Sequence, residues 1–120
     1  MRSKTYSKNF IKEKFPELLN YKTITSRMYE KNENLTYKNN WWINFSYDDL
    51  NKYEYIIFAG ALDSVSKDLK IFKVPSNYIK SNIGSIAMTN KGWINIYLHL
   101  TDFIDVRNKK NLSFKEFALN

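Results

Sequence analysis

The sequence predicts one domain of the α/β or α+β class, with a mixed central β-sheet of about five strands and short helices on its flanks. Three observations support this fold class. The 120 residues are enough for a single domain, 1–120, with a core of its own. Hydrophobic residues (43%) and aromatic residues (17%) supply the material for that core. One helical pattern near the N-terminus is followed by mostly strand-like segments with short helical segments between them.

The N-terminal segment contains a helix signal and then a strand signal. Residues 7–14 place apolar side chains at helical spacing behind Ser7, a residue type that caps helices, and therefore predict a helix. Pro16 should kink or restart this helix, because proline lacks the amide hydrogen that a helix interior needs. Residues 22–30 alternate and are β-branched, which predicts a strand, and the polar residues 31–39 predict a loop.

Two segments in the middle of the chain predict the centre of the sheet. Residues 40–46 form an aromatic strand in which Trp41, Ile43 and Phe45 share one face and Trp42 and Asn44 share the other. Ser46 and Asp49 have the spacing of a capping box and predict a short helix at 47–52. Residues 54–62 are a nearly continuous apolar run, which predicts an interior strand with Phe58 buried.

The C-terminal half predicts another strand, a hairpin and three short helices. The strand covers 69–74, follows a polar turn at 63–68 and ends before a proline. The hairpin joins 85–89 to 93–98 around a turn that contains glycine. In its second strand Ile94, Ile96 and Leu98 face one way, and Trp93, Asn95 and Tyr97 face the other. Helices are expected at 76–79, at 101–106 and from Ser113 onward, each beginning at a serine or threonine.

Composition excludes several classes of protein. The chain has no cysteine, so disulfides and thiolate metal sites are excluded. No apolar run approaches the ~18 residues that a membrane span needs. No hydrophobic signal core follows the first residues. These features predict a cytoplasmic protein that makes no membrane contact.

The charge of the chain indicates an anionic partner. Lysine and arginine number 19 against 12 acidic residues, a formal net charge of +7. Such an excess attracts nucleic acid or another anionic surface. The alternative is that a lysine-rich composition reflects an AT-rich genome. Arginine is scarce, at Arg2, Arg27 and Arg107, whereas proteins that contact bases in a DNA groove usually rely on arginine forks.

Between about residues 20 and 100 the predicted elements follow a recognisable order. A strand at 22–30 precedes the aromatic strand Trp41–Phe45, a short acidic helix, the apolar segment Tyr55–Phe58 and the segment Ile71–Ser76, which ends in a Pro-Ser turn. This order resembles the C-terminal half of PD-(D/E)xK nucleases, the fold of many restriction and homing endonucleases. The resemblance implies the nuclease fold for this part of the chain.

The catalytic part of that family is missing from the matching positions. The family places an acidic residue, any residue and a lysine on the first of these strands, where they hold a divalent metal and a nucleophilic water. Here the matching stretch is Thr23–Arg27, which contains no carboxylate to hold Mg²⁺. Residues 1–20 contain only Glu13 and Glu17 as acids. The resemblance therefore implies the fold without cleavage of DNA or RNA.

Two other groups of residues are candidates for catalysis. Asp68 and Lys70 match the acid-x-lysine pattern with Asp63 upstream, so a metal-dependent nuclease that uses these three residues is an alternative to a simple solvated turn. His99 is the only histidine and lies beside Asp102, but no cysteine and no obviously placed serine could partner it. We therefore predict no catalytic residue, no metal and no cofactor.

Basic and aromatic residues are interleaved between Lys22 and Lys38, a mixture that suits nucleic acid. Alternation along the strand places Arg27 and Tyr29 on the face opposite Ile24, so we expect both to project outward. Trp42 lies opposite Trp41, and we expect one of the two to stay accessible. The predicted contact residues for nucleic acid or a partner are Lys22, Arg27, Tyr29, Lys31, Tyr37, Lys38 and Trp42, with Arg27 contributing most.

The sequence thus predicts a non-catalytic basic protein that binds DNA, RNA or a nucleoprotein complex. Small size, AT-rich composition and a nuclease-like core without catalytic residues suit a phage or mobile-element product. One such product would be an inhibitor of a host defence nuclease, such as a CRISPR effector. The alternatives are the metal-dependent nuclease and a protein–protein interaction module in which the charge is incidental. Metal-dependent cleavage and salt-dependent nucleic-acid binding distinguish these three functions.

Overall fold

A computed structural model describes residues 4–26, 28–29, 40–61, 68–107 and 110–120. Within these ranges the helices are α1 (Lys4–Lys14), α2 (Asp49–Lys52) and α3 (Ser76–Ser81). The strands are β1 (Lys22–Ser26), β2 (Met28–Tyr29), β3 (Asn40–Ser46), β4 (Tyr55–Ala61), β5 (Leu69–Pro75), β6 (Ala87–Met88) and β7 (Trp93–His99). Single 3₁₀ turns cover Pro16–Asn20, Ile83–Ser85 and Lys115–Phe117.

The strands form two sheets in an α+β domain, which confirms the predicted fold class. The mixed sheet has three strands rather than about five, and the other strands form a second sheet. The first sheet is mixed and has the order β1-β4-β5, with β1 parallel and β5 antiparallel to β4. The second is antiparallel and has the order β2-β3-β7-β6. The predicted strand at 22–30 is divided between them, because β1 belongs to the first sheet and β2 to the second. Where the chain passes between sheets, the Ser26 hydroxyl accepts a hydrogen bond from the Trp42 amide.

The main core lies between the two sheets. Alternation along β3 and β7 gives each strand one apolar face, and a sheet with one apolar face must pack against another layer. The first sheet contributes its own apolar face to this interior. The large buried side chains of this interior include Trp41, Ile43, Phe45, Phe58, Phe72, Ile96, Leu98 and Phe114.

A second core lies on the other side of the first sheet, under α1. Ile11 of the helix and Leu18 of the following 3₁₀ turn pack against Ile57 and Ile71 of the sheet. That turn begins at Pro16, as the sequence predicts, because proline suits the first turn of a helix. Both faces of β4 are therefore covered. The apolar run predicted an interior strand there with Phe58 buried, and both predictions are confirmed.

The two helices predicted at 101–106 and from Ser113 onward are replaced by turns and isolated β-bridges at 101–106 and by a short 3₁₀ turn at Lys115–Phe117. At 101–106 the chain turns back on β7, with bridges between Leu98 and Asp105 and between Ile104 and Ser113. Phe103 adopts a positive φ of 58°, which no right-handed helix allows. Its ring instead packs against Phe72, with ring centroids 5.2 Å apart. Core packing thus overrides the local helix signal.

The C-terminal residues cover the free edge of β5. After the single 3₁₀ turn at Lys115–Phe117, Leu119 donates its amide hydrogen to the Ile71 carbonyl oxygen at 2.8 Å. The Asn120 side chain then imitates a strand backbone, because its Oδ1 accepts from the Ile71 amide and its Nδ2 donates to the Leu69 carbonyl oxygen. An edge strand with unpaired backbone groups would favour unwanted strand pairing, and these bonds block it along β5.

Candidate functional site

Of the seven predicted contact residues, the structure describes the side chains of Lys22 and Trp42. Arg27, Lys31, Tyr37 and Lys38 lie outside the described residues. Tyr29 is described only through its backbone, which pairs with Asn40 across β2 and β3.

The structure does not bring the two described contact residues together. Lys22 begins β1 and Ser26 ends it. The strand rises about 3.3 Å per residue, so Lys22 lies about 13 Å from the point where Ser26 bonds the Trp42 amide. Lys22 belongs to the first sheet, whereas Trp42 belongs to the second.

Trp42 is part of a continuous surface on the outer face of the second sheet. The β3–β7 register pairs Trp42 with Tyr97, Asn44 with Asn95 and Ser46 with Trp93. Directly paired residues share a face of the sheet, and the interleaved residues of both strands point into the core. Trp42 is 41% exposed and Trp93 is 47% exposed. We call the surface formed by Trp42, Asn44, Trp93, Asn95, Tyr97 and Arg107 the aromatic face.

Three planar groups lie side by side at one end of the aromatic face. The rings of Trp42 and Tyr97 are parallel to within 2°, with centroids 6.3 Å apart. The guanidinium carbon of Arg107 lies 4.2 Å from the Tyr97 ring centroid, within the range of a cation–π contact. Tyr97 therefore contacts an exposed arginine and lies beside an exposed indole.

A small hydrogen-bond network fixes the orientation of the asparagine pair. Asn95 Oδ1 accepts two hydrogen bonds, from Trp42 Nε1 at 2.9 Å and from Asn44 Nδ2 at 2.8 Å. Asn44 Nδ2 also lies 3.2 Å from the Ile94 carbonyl oxygen. Because both donors point at the same oxygen, neither amide can flip without losing bonds. The network therefore also holds the indole of Trp42 in place.

Asp105 holds the chain that carries Arg107. Its side chain is fully buried, and its Oδ1 accepts hydrogen bonds from the Tyr97 amide at 3.1 Å and the Arg107 amide at 3.2 Å. Its Oδ2 has no hydrogen-bond partner within the described part of the chain. Burial raises the pKa of Asp105 to about 6, and the two amides and the Arg107 charge offset only part of that effect.

The acidic side chains at the two ends of the second sheet each have a basic partner. Asp48, after the end of β3, lies 3.4 Å from the Lys52 ammonium. Asp102, after the end of β7, lies 3.1 Å from His99 Nδ1. His99 therefore has a surface carboxylate as its neighbour. Among the described residues, Arg107 and, in the turn before Trp93, Lys91 are exposed cations close to this face in the fold.

The residues of the proposed metal site do not form a described cluster. Asp63 lies outside the described residues, and Asp68 is exposed at the start of β5. Lys70 donates a hydrogen bond to the main-chain carbonyl oxygen of Asn120. Among the residues that the structure describes, no group of three histidine or acidic side chains is placed to hold a metal ion.

A cavity of about 440 Å³ lies between α1, the start of β5, the segment after β7 and the C-terminus. Its wall is mostly aromatic and aliphatic and includes Phe10, Phe15 and Phe103. Lys14, Lys70 and Asp68 lie at this cavity and contribute charges of both signs. The cavity shares no lining residue with the aromatic face.

The other five residues of the aromatic face were not among the predicted contact residues: Asn44, Trp93, Asn95, Tyr97 and Arg107. The alternation in each strand was visible, with Trp-x-Asn in β3 and Trp-x-Asn-x-Tyr in β7. What the sequence did not show is that these strands pair, since Trp42 and Tyr97 are 55 positions apart. Two strands with similar polar and aromatic outer faces were the available signal, because cross-strand pairs of aromatic side chains stabilise a sheet.

None of the helices within the described ranges is long and apolar enough to cross a membrane. No family model, curated protein or solved structure matches this chain.

Proposed function

We propose that the protein binds single-stranded nucleic acid through the aromatic face and acts as a binding protein rather than an enzyme. The observation that carries this proposal is the arrangement of Trp42, Tyr97 and Arg107. An exposed indole lies beside a parallel phenol ring, and an exposed guanidinium is held at that ring.

These three groups match the two chemical features of a nucleotide. Bases stack on exposed aromatic side chains, and each such stack contributes about 1–3 kcal/mol. A guanidinium suits a phosphate because its donors form a planar fork. The net charge of +7 adds a long-range attraction for any polyanion. Stacking and charge thus favour the same partner.

An unpaired strand fits this surface better than a duplex. Stacking on Trp42 requires a base with an accessible face, and bases in a duplex are already stacked on their neighbours. The major groove of DNA admits a helix or a two-stranded ribbon. The aromatic face instead lies across β3 and β7, the inner strands of a four-stranded sheet. We therefore expect a strong preference for single strands.

The partner, the origin and the alternative activity that the sequence indicated stay predictions. A nucleoprotein partner such as a CRISPR effector, and a phage or mobile-element origin, would both be compatible with a surface for single strands. Arg27 and the segment to Lys38 would extend that surface if they lie near Trp42. The metal-dependent nuclease depends on Asp63, which lies outside the described residues.

The test compares two exposed apolar residues on opposite sides of the molecule. Binding of fluorescein-labelled dT and rU 12-mers is measured by anisotropy at low salt for the wild type, Trp42→Ala and Leu19→Ala. Leu19 is the matched control, because it is 45% exposed on the 3₁₀ turn under the first sheet. We expect Trp42→Ala to bind about tenfold more weakly, which is the loss of one stacked base, and Leu19→Ala to bind like the wild type.

Two results would overturn the proposal. The first is a wild type that binds neither 12-mer at low salt, which would leave the aromatic face as a protein-docking surface. The second is a folded Trp42→Ala variant, checked by circular dichroism, that binds both 12-mers as tightly as the wild type. Trp42→Phe keeps an aromatic ring, so it should retain most of the affinity.

A further inference from the structure

We propose that the aromatic face holds three consecutive nucleotides and that Asn44 and Asn95 contact the middle base. This proposal rests on the proposed function, because it assigns positions within the same single-stranded ligand. It follows from three adjacent cross-strand pairs of the β3–β7 register, each of which we call a row. The rows are Trp42 with Tyr97, Asn44 with Asn95, and Ser46 with Trp93.

The rows can accept successive nucleotides of an unpaired strand. Side chains on one face of a sheet repeat every second residue, which is about 7 Å. An unpaired strand can splay its bases apart to reach successive side chains, so that one nucleotide corresponds to one row. The rows of Trp42 and Trp93 are two steps apart, about 14 Å. Bases stacked on these two indoles therefore leave space for one base between them.

The middle row can contact that base through hydrogen bonds. Asn95 Oδ1 is already saturated by Trp42 Nε1 and Asn44 Nδ2. Asn44 Oδ1, in contrast, accepts no hydrogen bond from the described residues. Within the described ranges, Asn95 Nδ2 makes one long contact, 3.5 Å to the Trp93 carbonyl oxygen. The row thus presents one acceptor and one donor whose positions are fixed by the network.

A donor beside an acceptor is complementary to the Watson–Crick edge of an unpaired base. Each of the four bases carries a donor and an acceptor side by side on that edge, which amide side chains can bond in pairs. In a duplex these groups are occupied by the opposite base. The asparagine pair therefore adds a second reason for single-strand preference, beyond the stacking on Trp42 and Trp93.

The test is a double-mutant cycle in which one side chain of the protein and one base of the ligand are removed separately and together. NMR titrations at low salt measure the affinity of two trinucleotides, dTTT and the same molecule with an abasic middle position. The proteins are the wild type, Asn44→Ala and Asn77→Ala. Asn44→Ala removes the free acceptor but leaves the bond between Trp42 and Asn95. Asn77 is the matched control, because it is an exposed asparagine on α3.

We expect Asn44→Ala to lower the affinity for dTTT about fivefold, which is the effect of one net hydrogen bond. Its affinity for the abasic trinucleotide should fall less than twofold. Asn77→Ala should bind both like the wild type. Equal losses for the two trinucleotides in Asn44→Ala, with Trp42-dependent binding intact, would overturn the middle-base contact alone. A wild type that binds neither the trinucleotides nor the 12-mers would overturn the proposed function as well.

Discussion

The indole of Trp41 lies against the backbone of Gly60 and joins the two sheets. Its Nε1 donates a 2.7 Å hydrogen bond to the carbonyl oxygen of Ala61. Trp41 belongs to β3 in the second sheet, whereas Gly60 and Ala61 belong to β4 in the first. A Cβ atom at Gly60 would lie 2.4 Å from Cε2 of the indole, closer than any real contact. Only glycine leaves space for this ring.

Gly60→Ala should lower the free energy of unfolding by about 3 kcal/mol, because the indole must shift within a packed core and its buried N–H loses its acceptor. Urea unfolding followed by circular dichroism measures the change. Gly84→Ala is the matched control, since no atom lies within 4 Å of its added Cβ. It should change the free energy of unfolding by less than about 0.5 kcal/mol. Equal urea midpoints for the two variants would contradict this role of Gly60.

Local features of the fold could be predicted from the sequence because each depends on a few neighbouring residues. The apolar run of β4 indicated a strand with two buried faces, and Pro16 indicated where the first helix restarts. The turn at Asn90–Gly92 indicated the β6–β7 hairpin, and Gly92 does adopt a positive φ of 84°. In each case the backbone conformation follows from nearby side chains.

The division into two sheets could not be predicted in the same way. Residues 22–30 alternate as one strand, and nothing local shows that β1 and β2 would belong to different sheets. The pairing of β3 with β7 depends on contacts between residues about 50 positions apart. The position of Phe103, packed on Trp41 and Phe72, likewise depends on distant partners. Because the aromatic face is built from that long-range pairing, only Trp42 of its six residues was predicted as a contact.

Asp105 should make the stability of the fold depend on pH. A carboxyl whose pKa rises from 3.8 to about 6 on folding is more easily protonated in the folded state. Its contribution to stability is therefore complete below pH 4 and is lost as the pH rises through about 6. A shift of about two pKa units corresponds to about 3 kcal/mol. The asparagine side chain of Asp105→Asn does not ionise, so the stability of this variant lacks the pH-dependent contribution.

The measurement is the free energy of unfolding of wild type and Asp105→Asn at pH 4 and at pH 7.5. The variant should gain about 2 kcal/mol relative to the wild type between these two values, because the unfolded carboxyl is already partly ionised at pH 4. Asp48→Asn serves as the control, because that carboxylate is exposed and lies beside Lys52. A difference between wild type and Asp105→Asn that is the same at both pH values would rule out titration of Asp105 in this range.

Arg107 should supply both charge and shape to the proposed interface, and two substitutions separate these effects. Arg107→Ala removes the cation that is held at the Tyr97 ring. Each phosphate contact on a single strand contributes about 0.7 to the slope of log affinity against log salt, so this slope should fall by about that amount. Arg107→Lys keeps the charge and the slope but loses the planar fork, so its affinity should still decrease at every salt concentration.

Lys12→Ala, on the exposed side of α1, is the control and should leave slope and affinity close to those of the wild type. If Arg107→Ala and Lys12→Ala reduce the slope equally, the net charge of the protein attracts the nucleic acid and Arg107 makes no phosphate contact of its own.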